Sequence, residues 1–366
     1  MAPIFALSIH ADYGCAHSGA CCSTAWDVPV EVAVHRGLNA AMREGRLRTQ
    51  DAFVGTESPP EGAAAVLRRR ASGACVFFDG RTRHCEVHRA LGPDALPVTC
   101  RLFPRIALSD ARGTFITLSH YCPTAAAMLF RDDCPLAIVE APTAFPPGDY
   151  DGLVAEDAWP PLLHPRMLID LEDYSAWERH AVARCADDAL SPEQVIAALA
   201  QDVEALRTWR PGGASLAEVI AGSHLLHEED QHDTGCREDA MRHPVSCLTL
   251  GWHQEGLTRG WNGFDRVVKR YLAAHAFASW CAYQGRGLRT FVRSLEAALA
   301  LLRTECQARS ADAGRPLDRD LLIEAIRASD WWLRHEASRE QLVREWSRAE
   351  DDAAAFRAAV GWGAAE

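Results

Sequence analysis

The stretch Cys15-Ala16-His17-Ser18-Gly19-Ala20-Cys21-Cys22 places three cysteines within eight residues near the start of a 366-residue chain. The glycine and alanines between them allow the backbone to fold closely around a bound group. Soft thiolate sulfur is the ligand that zinc and iron–sulfur centres use. The stretch therefore predicts a first structural unit that is organised around a metal.

Further cysteines follow in three separate segments. They lie in Cys75-Val76-Phe77-Phe78-Asp79-Gly80 with Cys85 shortly after it, in Cys100-Arg101-Leu102-Phe103-Pro104, and in Tyr121-Cys122-Pro123. One short stretch cannot surround a metal by itself, so we expect the four segments to converge. The candidate metal ligands are Cys15, Cys21, Cys22, Cys75, Cys85, Cys100 and Cys122. Seven thiolates exceed what one tetrahedral zinc or one four-iron cluster uses, so some of them must be neighbours of the metal rather than ligands.

The identity of the metal stays open at this point. Sulfur-rich ligation favours an iron–sulfur cluster, [4Fe–4S] above all, while zinc held by four thiolates would give the same sequence pattern. Redox-active thiols without a metal are a third interpretation. Adjacent Cys21 and Cys22 are expected to project in different directions, so that only one of them binds the primary metal. Arg101 either stabilises a negatively charged cluster beside Cys100 or forms an ordinary salt bridge.

The total of 13 cysteines is high for the cytoplasm, where we place this protein. The residues from Met1 to His10 show no secretory signal, and no apolar run reaches the ~20 residues that span a bilayer. Because the cytoplasm keeps thiols reduced, metal ligation explains the early cysteines better than disulfides do. The five later cysteines are scattered and predict small buried apolar side chains. They are Cys185, Cys236, Cys247, Cys281 and Cys306.

Charge is unevenly distributed along the chain, whose net charge is −12. Residues 1–135 carry 14 arginines and 13 acidic residues, so the excess negative charge belongs to the remainder. An acidic surface repels phosphate backbones, which argues against nucleic-acid binding. We expect no nucleic-acid or membrane partner, and a protein substrate or protein partner instead.

Hydrophobic patterning predicts an α+β protein that is mostly α, with a cysteine-rich unit of short strands packed on a helical bundle. Arg105 to Cys122 alternates around a turn at residues 110–113 and predicts a hairpin. Glu31 to Arg48 and Ala63 to Arg70 are predicted helices. Ser191-Pro192-Glu193-Gln194 has the pattern of a helix start with a capping box.

Three segments follow from this patterning. Residues 1–135 are the predicted metal-binding domain, and the proline-rich residues 136–165 are the predicted connection. Residues 166–366 are the predicted helical domain, with helices through 216–229, 264–283, 288–307, 317–336 and 339–360.

The cysteine pattern resembles the YkgJ-type cysteine-cluster family, described as a putative zinc- or iron-chelating domain. That family opens with CxxCxxCC and continues with isolated cysteines and a CRxFP stretch. Cys15, Cys21 and Cys22 match the first, third and fourth cysteines of the motif, and residues 100–104 match CRxFP. Ser18 stands at the position of the second cysteine. Because a hydroxyl is a poor ligand for soft metals, the resemblance implies a replacement ligand there.

The overall plan also resembles, more distantly, the flagellin lysine-N-methylase. Cys122-Pro123-Thr124-Ala125-Ala126 and the segment from Lys269 to Gly287 carry this likeness. It implies an S-adenosylmethionine-dependent protein lysine methylase with a structural metal cluster, although no GxGxxG follows a strand. A zinc-stapled interaction module without chemistry is the remaining alternative. Catalytic and cofactor-binding residues stay unknown.

Histidines near the cysteines are candidate replacement ligands. His17, His84, His88 and His120 could each complete the ligand set or donate a hydrogen bond to a thiolate. Two later groups are further candidate metal sites; the simpler interpretation is a solvated helix end for the first and a polar loop between helices for the second. The two groups are His224, His227 and Glu228, and His232 and His243 with Cys236 and Cys247.

Overall fold

The computed structural model describes residues 2–24, 26–55, 62–145, 148, 150, 152–222 and 261–361. The strands are β1 (Ile4–Leu7), β2 (Pro29–Glu31), β3 (Phe53–Val54), β4 (Ala63–Leu67), β5 (Phe78–Asp79), β6 (His84–Cys85), β7 (Arg105–Asp110), β8 (Gly113–Leu118), β9 (Ile138–Glu140), β10 (Gly152–Val154), β11 (Leu162–His164) and β12 (Met167–Leu168).

The helices of the described residues are α1 (Ala20–Ser23), α2 (Val32–Arg43), α3 (Glu86–Leu91), α4 (Val98–Leu102), α5 (Pro123–Met128), α6 (Leu171–Ala186), α7 (Pro192–Leu206), α8 (residues 216–222), α9 (Asp265–Ala276), α10 (Cys281–Gln284), α11 (Leu288–Ala313), α12 (Arg319–Trp331), α13 (Arg339–Trp346) and α14 (Ala353–Ala359). The longest of these helices, α6, α7 and α11, lie in the second half of the chain or close to its middle. A π-helical turn over Trp332–Glu336 continues α12. The predicted class, mostly α within α+β, is confirmed.

The largest sheet has five strands in the order β10-β7-β8-β1-β9. At its centre lies the predicted hairpin, in which β7 and β8 pair from Arg105 with Leu118 to Asp110 with Gly113. β1 runs parallel to β8 and antiparallel to β9. Because the open end of the hairpin lies at residues 105 and 118, the chain segments that carry Cys100 and Cys122 leave from the same end of the sheet.

The cysteine-rich segment forms two small sheets, β2-β4-β3 and β5-β6. The prediction of a helix from Ala63 to Arg70 is wrong, because residues Ala63–Leu67 form β4. This strand lies between β2 and β3, and Ala65, Val66 and Leu67 are buried. Pairing on both edges and burial of residues on both faces outweigh the intrinsic helix preference of alanine.

Helix α7 begins as the sequence predicts. Ser191 accepts a hydrogen bond from the Gln194 backbone, and Gln194 accepts one from the Ser191 backbone, which completes the capping box of α7. The predicted helix over 264–283 is interrupted, because α9 ends at Ala276 and α10 begins at Cys281. The predicted helix over 216–229 lies partly outside the described residues.

One hydrophobic core joins the five-stranded sheet to the helices. Leu7 and Phe115 of the sheet pack in the same cluster as Trp177, Tyr271 and Phe291 of the helices. A second cluster, around Phe77 and Phe78, serves the cysteine-rich segment. The strands β9, β10 and β11 fall within residues 136–165, the predicted connection, whose role as a domain boundary stays a prediction. Among the described helices, none has both the length and the apolar composition of a membrane span.

A buried polar network fastens the end of β8 to α12. Asp330 accepts a hydrogen bond of 2.6 Å from the His120 backbone and contacts His275 at 3.1 Å and Arg334 at 3.0 Å. The Nε2 atoms of His120 and His10 lie 3.2 Å apart. Burial would raise the pKa of Asp330, but Arg334 and His275 beside it hold that pKa well below its usual range. The network therefore contains an ionised carboxylate sealed from water.

We expect the free energy of unfolding to fall as the pH drops below 6.5. Burial lowers the folded-state pKa values of His10, His120 and His275, to about 3 for His120. The unfolded chain therefore binds more protons below pH 6.5, and each histidine removes about 1.4 kcal/mol per pH unit until its folded-state pKa is reached. Urea unfolding at pH 7.5, 6.5 and 5.5 measures this loss.

The variant His120→Gln is the control for that experiment. It lacks one of the three titrating groups, so its stability should depend less steeply on pH over the same interval. A wild-type unfolding midpoint that stays constant from pH 6.5 to 5.5 would contradict the assignment of neutral buried histidines.

Candidate metal centre

The opening cysteine motif folds as a tight turn followed by one turn of helix. Gly19 has a φ of +74° and caps α1, which carries Cys21 and Cys22. A Cβ atom at Gly19 would lie 2.5 Å from the Phe78 ring, which is shorter than any real carbon contact. Only glycine therefore permits both the left-handed backbone and the close packing against β5.

Hydrogen bonds tie this turn to the β5-β6 hairpin. The Arg83 guanidinium donates to the Ser18 carbonyl, at 2.9 Å from Nε, and the Cys75 backbone N–H donates to the Cys22 carbonyl at 2.7 Å. The Ser18 hydroxyl accepts from the Ala20 backbone at 3.4 Å. The serine that replaces the second motif cysteine therefore stabilises the turn locally.

Five thiols come together around this turn, and we call them the thiol group: Cys21, Cys22, Cys75, Cys85 and Cys100. Cys22, Cys85 and Cys100 pack against the cluster that contains buried Cys75. The charges of Cys21, Cys75 and Cys85 act on the Cys100 thiol. Three of the four predicted cysteine segments thus contribute to one group, and the segment that carries Cys122 does not.

Cys22 occupies the centre of the thiol group. Its sulfur lies 3.9 Å from that of Cys21, and it is within hydrogen-bonding reach of Cys85. The expectation that Cys21 and Cys22 project in different directions is wrong, because the helical turn after Gly19 brings both sulfurs to the same side. Hydrogen bonding with Cys21 and Cys85 raises the pKa of Cys22, so Cys22 is the thiol of the three that most resists ionisation.

The pKa values of Cys21 and Cys85 are lowered correspondingly. A hydrogen bond from Cys22 lowers the pKa of Cys21, and the same donor lowers the pKa of Cys85 to about 7. The backbone N–H groups of His88 and Val87, at the start of α3, add to the effect on Cys85. Thiolate is the form of cysteine that binds metals, so these two sulfurs are poised for ligation.

Burial determines the pKa values of the other two members of the thiol group, Cys75 and Cys100. It raises the pKa of Cys75 and raises that of Cys100 well above its usual range, while the charge of Arg69 partly opposes both effects. Arg69 is held by the backbone carbonyls of Thr24, at 2.6 Å, and Trp26. The arginine whose charge acts on these thiols is therefore Arg69, which no sequence motif marks, and not the predicted candidate Arg101.

Cys15 and Cys122 lie to one side of the thiol group. Cys122 packs in a different apolar cluster, where its sulfur is 3.6 Å from the Tyr13 hydroxyl. Cys15 is exposed, and its sulfur accepts a hydrogen bond of 3.4 Å from the His17 backbone. The charges of Cys122 and Cys21 both act on the Cys15 thiol, so Cys15 lies between the two sets.

The candidate histidines divide into two places. His17, His84 and His88 line a cavity beside Cys85, whereas His120 is fully buried in the network around Asp330. His120 is therefore part of the junction with the helices. The later candidates at residues 224–247 lie outside the described residues.

The structure also places the remaining cysteines. Cys185, Cys281 and Cys306 are buried, as predicted for small apolar side chains. All cysteines in the described ranges are free thiols. In the part of the chain that the structure describes, no three or more histidine, cysteine or acidic side chains are already arranged to hold a metal ion together. Metal binding by the thiol group thus requires loss of protons and rotation of side chains.

Five converging thiols define the class of cysteine-rich metal-binding domains. Residues 14–123 match the model of the CxxCxxCC family, whose description is "Putative zinc- or iron-chelating domain". The match covers just under a third of the chain and contains all seven candidate cysteines, so the resemblance to this family is confirmed for that segment. No curated protein and no solved structure matches the chain.

We expect Gly19→Ala to destabilise the domain more than Gly45→Ala. Both glycines have a positive φ, near +70°, but a Cβ at Gly45 meets no atom within 4 Å. Backbone strain of roughly 1–2 kcal/mol is common to both variants, and only Gly19→Ala adds the clash with Phe78. Urea unfolding of the two variants measures the difference. Equal destabilisation would show that the Gly19 contact is unimportant.

We expect Cys85 to be alkylated faster than Cys75 and Cys100 in metal-free protein at pH 7.5. The variant Cys22→Ala removes the hydrogen-bond donor that lowers the pKa of Cys85, so alkylation of Cys85 should slow by roughly fivefold to tenfold. Iodoacetamide labelling followed by peptide mass spectrometry measures each rate. The control is Cys134→Ala, at a half-buried cysteine that packs against the core of the sheet and helices rather than in the thiol group. An unchanged Cys85 rate in Cys22→Ala would contradict the effect of Cys22 on the pKa of Cys85.

Proposed function

We propose that the thiol group binds a metal, and that this centre holds together the otherwise loop-rich segment 14–123. The observation that carries the proposal is the convergence of five thiols from three of the four cysteine segments around Cys22. Two of them, Cys21 and Cys85, have lowered pKa values. A metal would replace the protons that the thiols now share, and its charge would favour deprotonation of buried Cys75 and Cys100.

We propose an iron–sulfur cluster as the metal centre. The thiol group can supply four sulfurs, from Cys21 or Cys22 and from Cys75, Cys85 and Cys100, which is the number that a [4Fe–4S] cluster requires. The apolar packing around Phe77 and Phe78 supports a cluster that is shielded from water. The centre would serve structure, with a redox or chaperone use as an extension of this proposal.

Zinc is the second candidate, and one distance favours it. Two thiolates on one tetrahedral zinc, with bonds of about 2.3 Å, lie about 3.8 Å apart. The separation of 3.9 Å between the sulfurs of Cys21 and Cys22 is close to that value. In a [4Fe–4S] cluster each thiolate binds a different iron, and such thiolates lie farther apart than 3.9 Å, so Cys21 and Cys22 in this arrangement would not both be ligands.

Anaerobic purification of the full chain tests the proposal. We expect visible absorption with bound iron and sulfide for the cluster, or one zinc per chain for the second candidate. Cys85→Ala and Cys100→Ala should lose the metal because each removes one ligand, whereas Cys134→Ala should retain it. Protein that contains neither iron nor zinc, or Cys85→Ala and Cys100→Ala variants that both retain a full complement, would contradict the proposal.

The adjacent pair separates the two metals. With a [4Fe–4S] cluster, only one of these two residues is a ligand. One of the variants Cys21→Ala and Cys22→Ala should therefore retain iron, and the other should lose it. With zinc bound by both, each variant should lose zinc. Loss of iron from both variants would contradict the [4Fe–4S] assignment.

The lysine-methylase and interaction-module alternatives are separate proposals that rest on the distant resemblance and on the domain plan. Calorimetric titration with S-adenosylmethionine distinguishes them. Binding would favour the enzyme, and absence of heat under conditions in which the metal is retained would count against it.

A further inference from the structure

Three imidazoles surround a cavity on the outer side of the thiol group. His17, His84 and His88, with Cys85 and Arg89, line a space of about 190 Å³. The ring centroid of His17 lies 5.3 Å from that of His84 and 4.8 Å from that of His88. Two imidazoles that bind one tetrahedral ion, with nitrogen–metal bonds of about 2.1 Å, have centroids roughly 5 Å apart. The spacing of the rings therefore suits a shared metal ion.

The backbone holds the three histidines in this arrangement. His17 has a φ of +53°, a left-handed conformation that is costly for a residue with a side chain. The hydrogen bond from Arg83 to the Ser18 carbonyl keeps the His17 turn against the hairpin that carries His84. His88 follows four residues after His84, at the first turn of α3. The three rings thus come from three elements that are joined to one another.

One histidine already has the tautomer of a metal ligand. The Nδ1 atom of His84 lies 2.6 Å from the Thr82 carbonyl oxygen. A carbonyl can only accept, so Nδ1 carries the proton and donates it, and the lone pair is left on Nε2. Donation from one ring nitrogen to a backbone carbonyl is the contact that orients metal-binding histidines.

We propose that His17, His84 and His88 form a second metal site, which binds a divalent cation of borderline softness such as zinc, cobalt or nickel. Three imidazoles leave a fourth position that faces the cavity and can hold water or a small ligand. The donors of this site are nitrogen atoms rather than sulfur, and the cavity shares only Cys85 with the thiol group. Binding requires rotation of exposed side chains, since the described side chains form no closed ligand set.

The charge of Arg89 at the cavity wall defines the competing possibility. Its side chain is exposed, so water screens its repulsion of a cation. An anion that binds between Arg89 and protonated imidazoles would be the opposite class of ligand. Inorganic phosphate is therefore included as a probe in the test.

The test is a titration of the full chain, as purified, with cobalt(II), followed by absorption and by calorimetry. We expect one additional ion per chain, with visible d–d bands and without the near-ultraviolet band of cobalt–thiolate bonds. His84→Gln and His88→Gln should each weaken binding by at least tenfold, because each removes one of three ligands. His35→Gln is the matched control, a half-buried histidine of the same segment that contacts Phe53 instead.

Three results would overturn the proposal. These are no additional ion, a thiolate band that accompanies the additional ion, and phosphate binding in place of cobalt binding. Equal weakening by His35→Gln would overturn it as well. Retention of the original metal by the His84 and His88 variants, measured on the same samples, separates failure of this site from failure of the thiol centre.

Discussion

The left-handed turn at Gly19 is the constraint on which the cysteine-rich segment depends. It starts α1 against the Phe78 ring, and it turns the sulfurs of Cys21 and Cys22 to the same side. The hydrogen bond from the Cys75 backbone to the Cys22 carbonyl then fixes the next cysteine segment beside them. Without this turn the thiols would remain separate groups in a loop-rich chain, because the small sheets of this segment have too few strands to hold them together.

Hydrogen bonding and burial give the five thiols different pKa values. Hydrogen bonding among Cys21, Cys22 and Cys85 raises the pKa of Cys22 and lowers those of Cys21 and Cys85. Buried Cys75 and Cys100 resist ionisation because their surroundings are apolar. A metal would stabilise every thiolate at once and so remove these differences in pKa. Metal binding is thereby coupled to the packing of the segment.

Particular residues show how far sequence patterns could predict this structure. The hairpin at residues 105–118 and the capping box at Ser191 follow from local chemistry, so both were predictable. β4 was not, because an alanine-rich segment prefers helix until two neighbouring strands pair with it. Arg69 and Asp330 act on residues far away in the chain, and no local pattern marks such partners.

The sequence by itself determined the number and type of donors: seven cysteines within residues 14–123 and histidines beside them. Tertiary structure alone decided how they divide. It gathers five thiols around Cys22, leaves Cys122 with Tyr13, and places His120 in a separate buried network. The physical reason is that donor chemistry is a property of each side chain, whereas proximity depends on contacts between segments that are tens of residues apart.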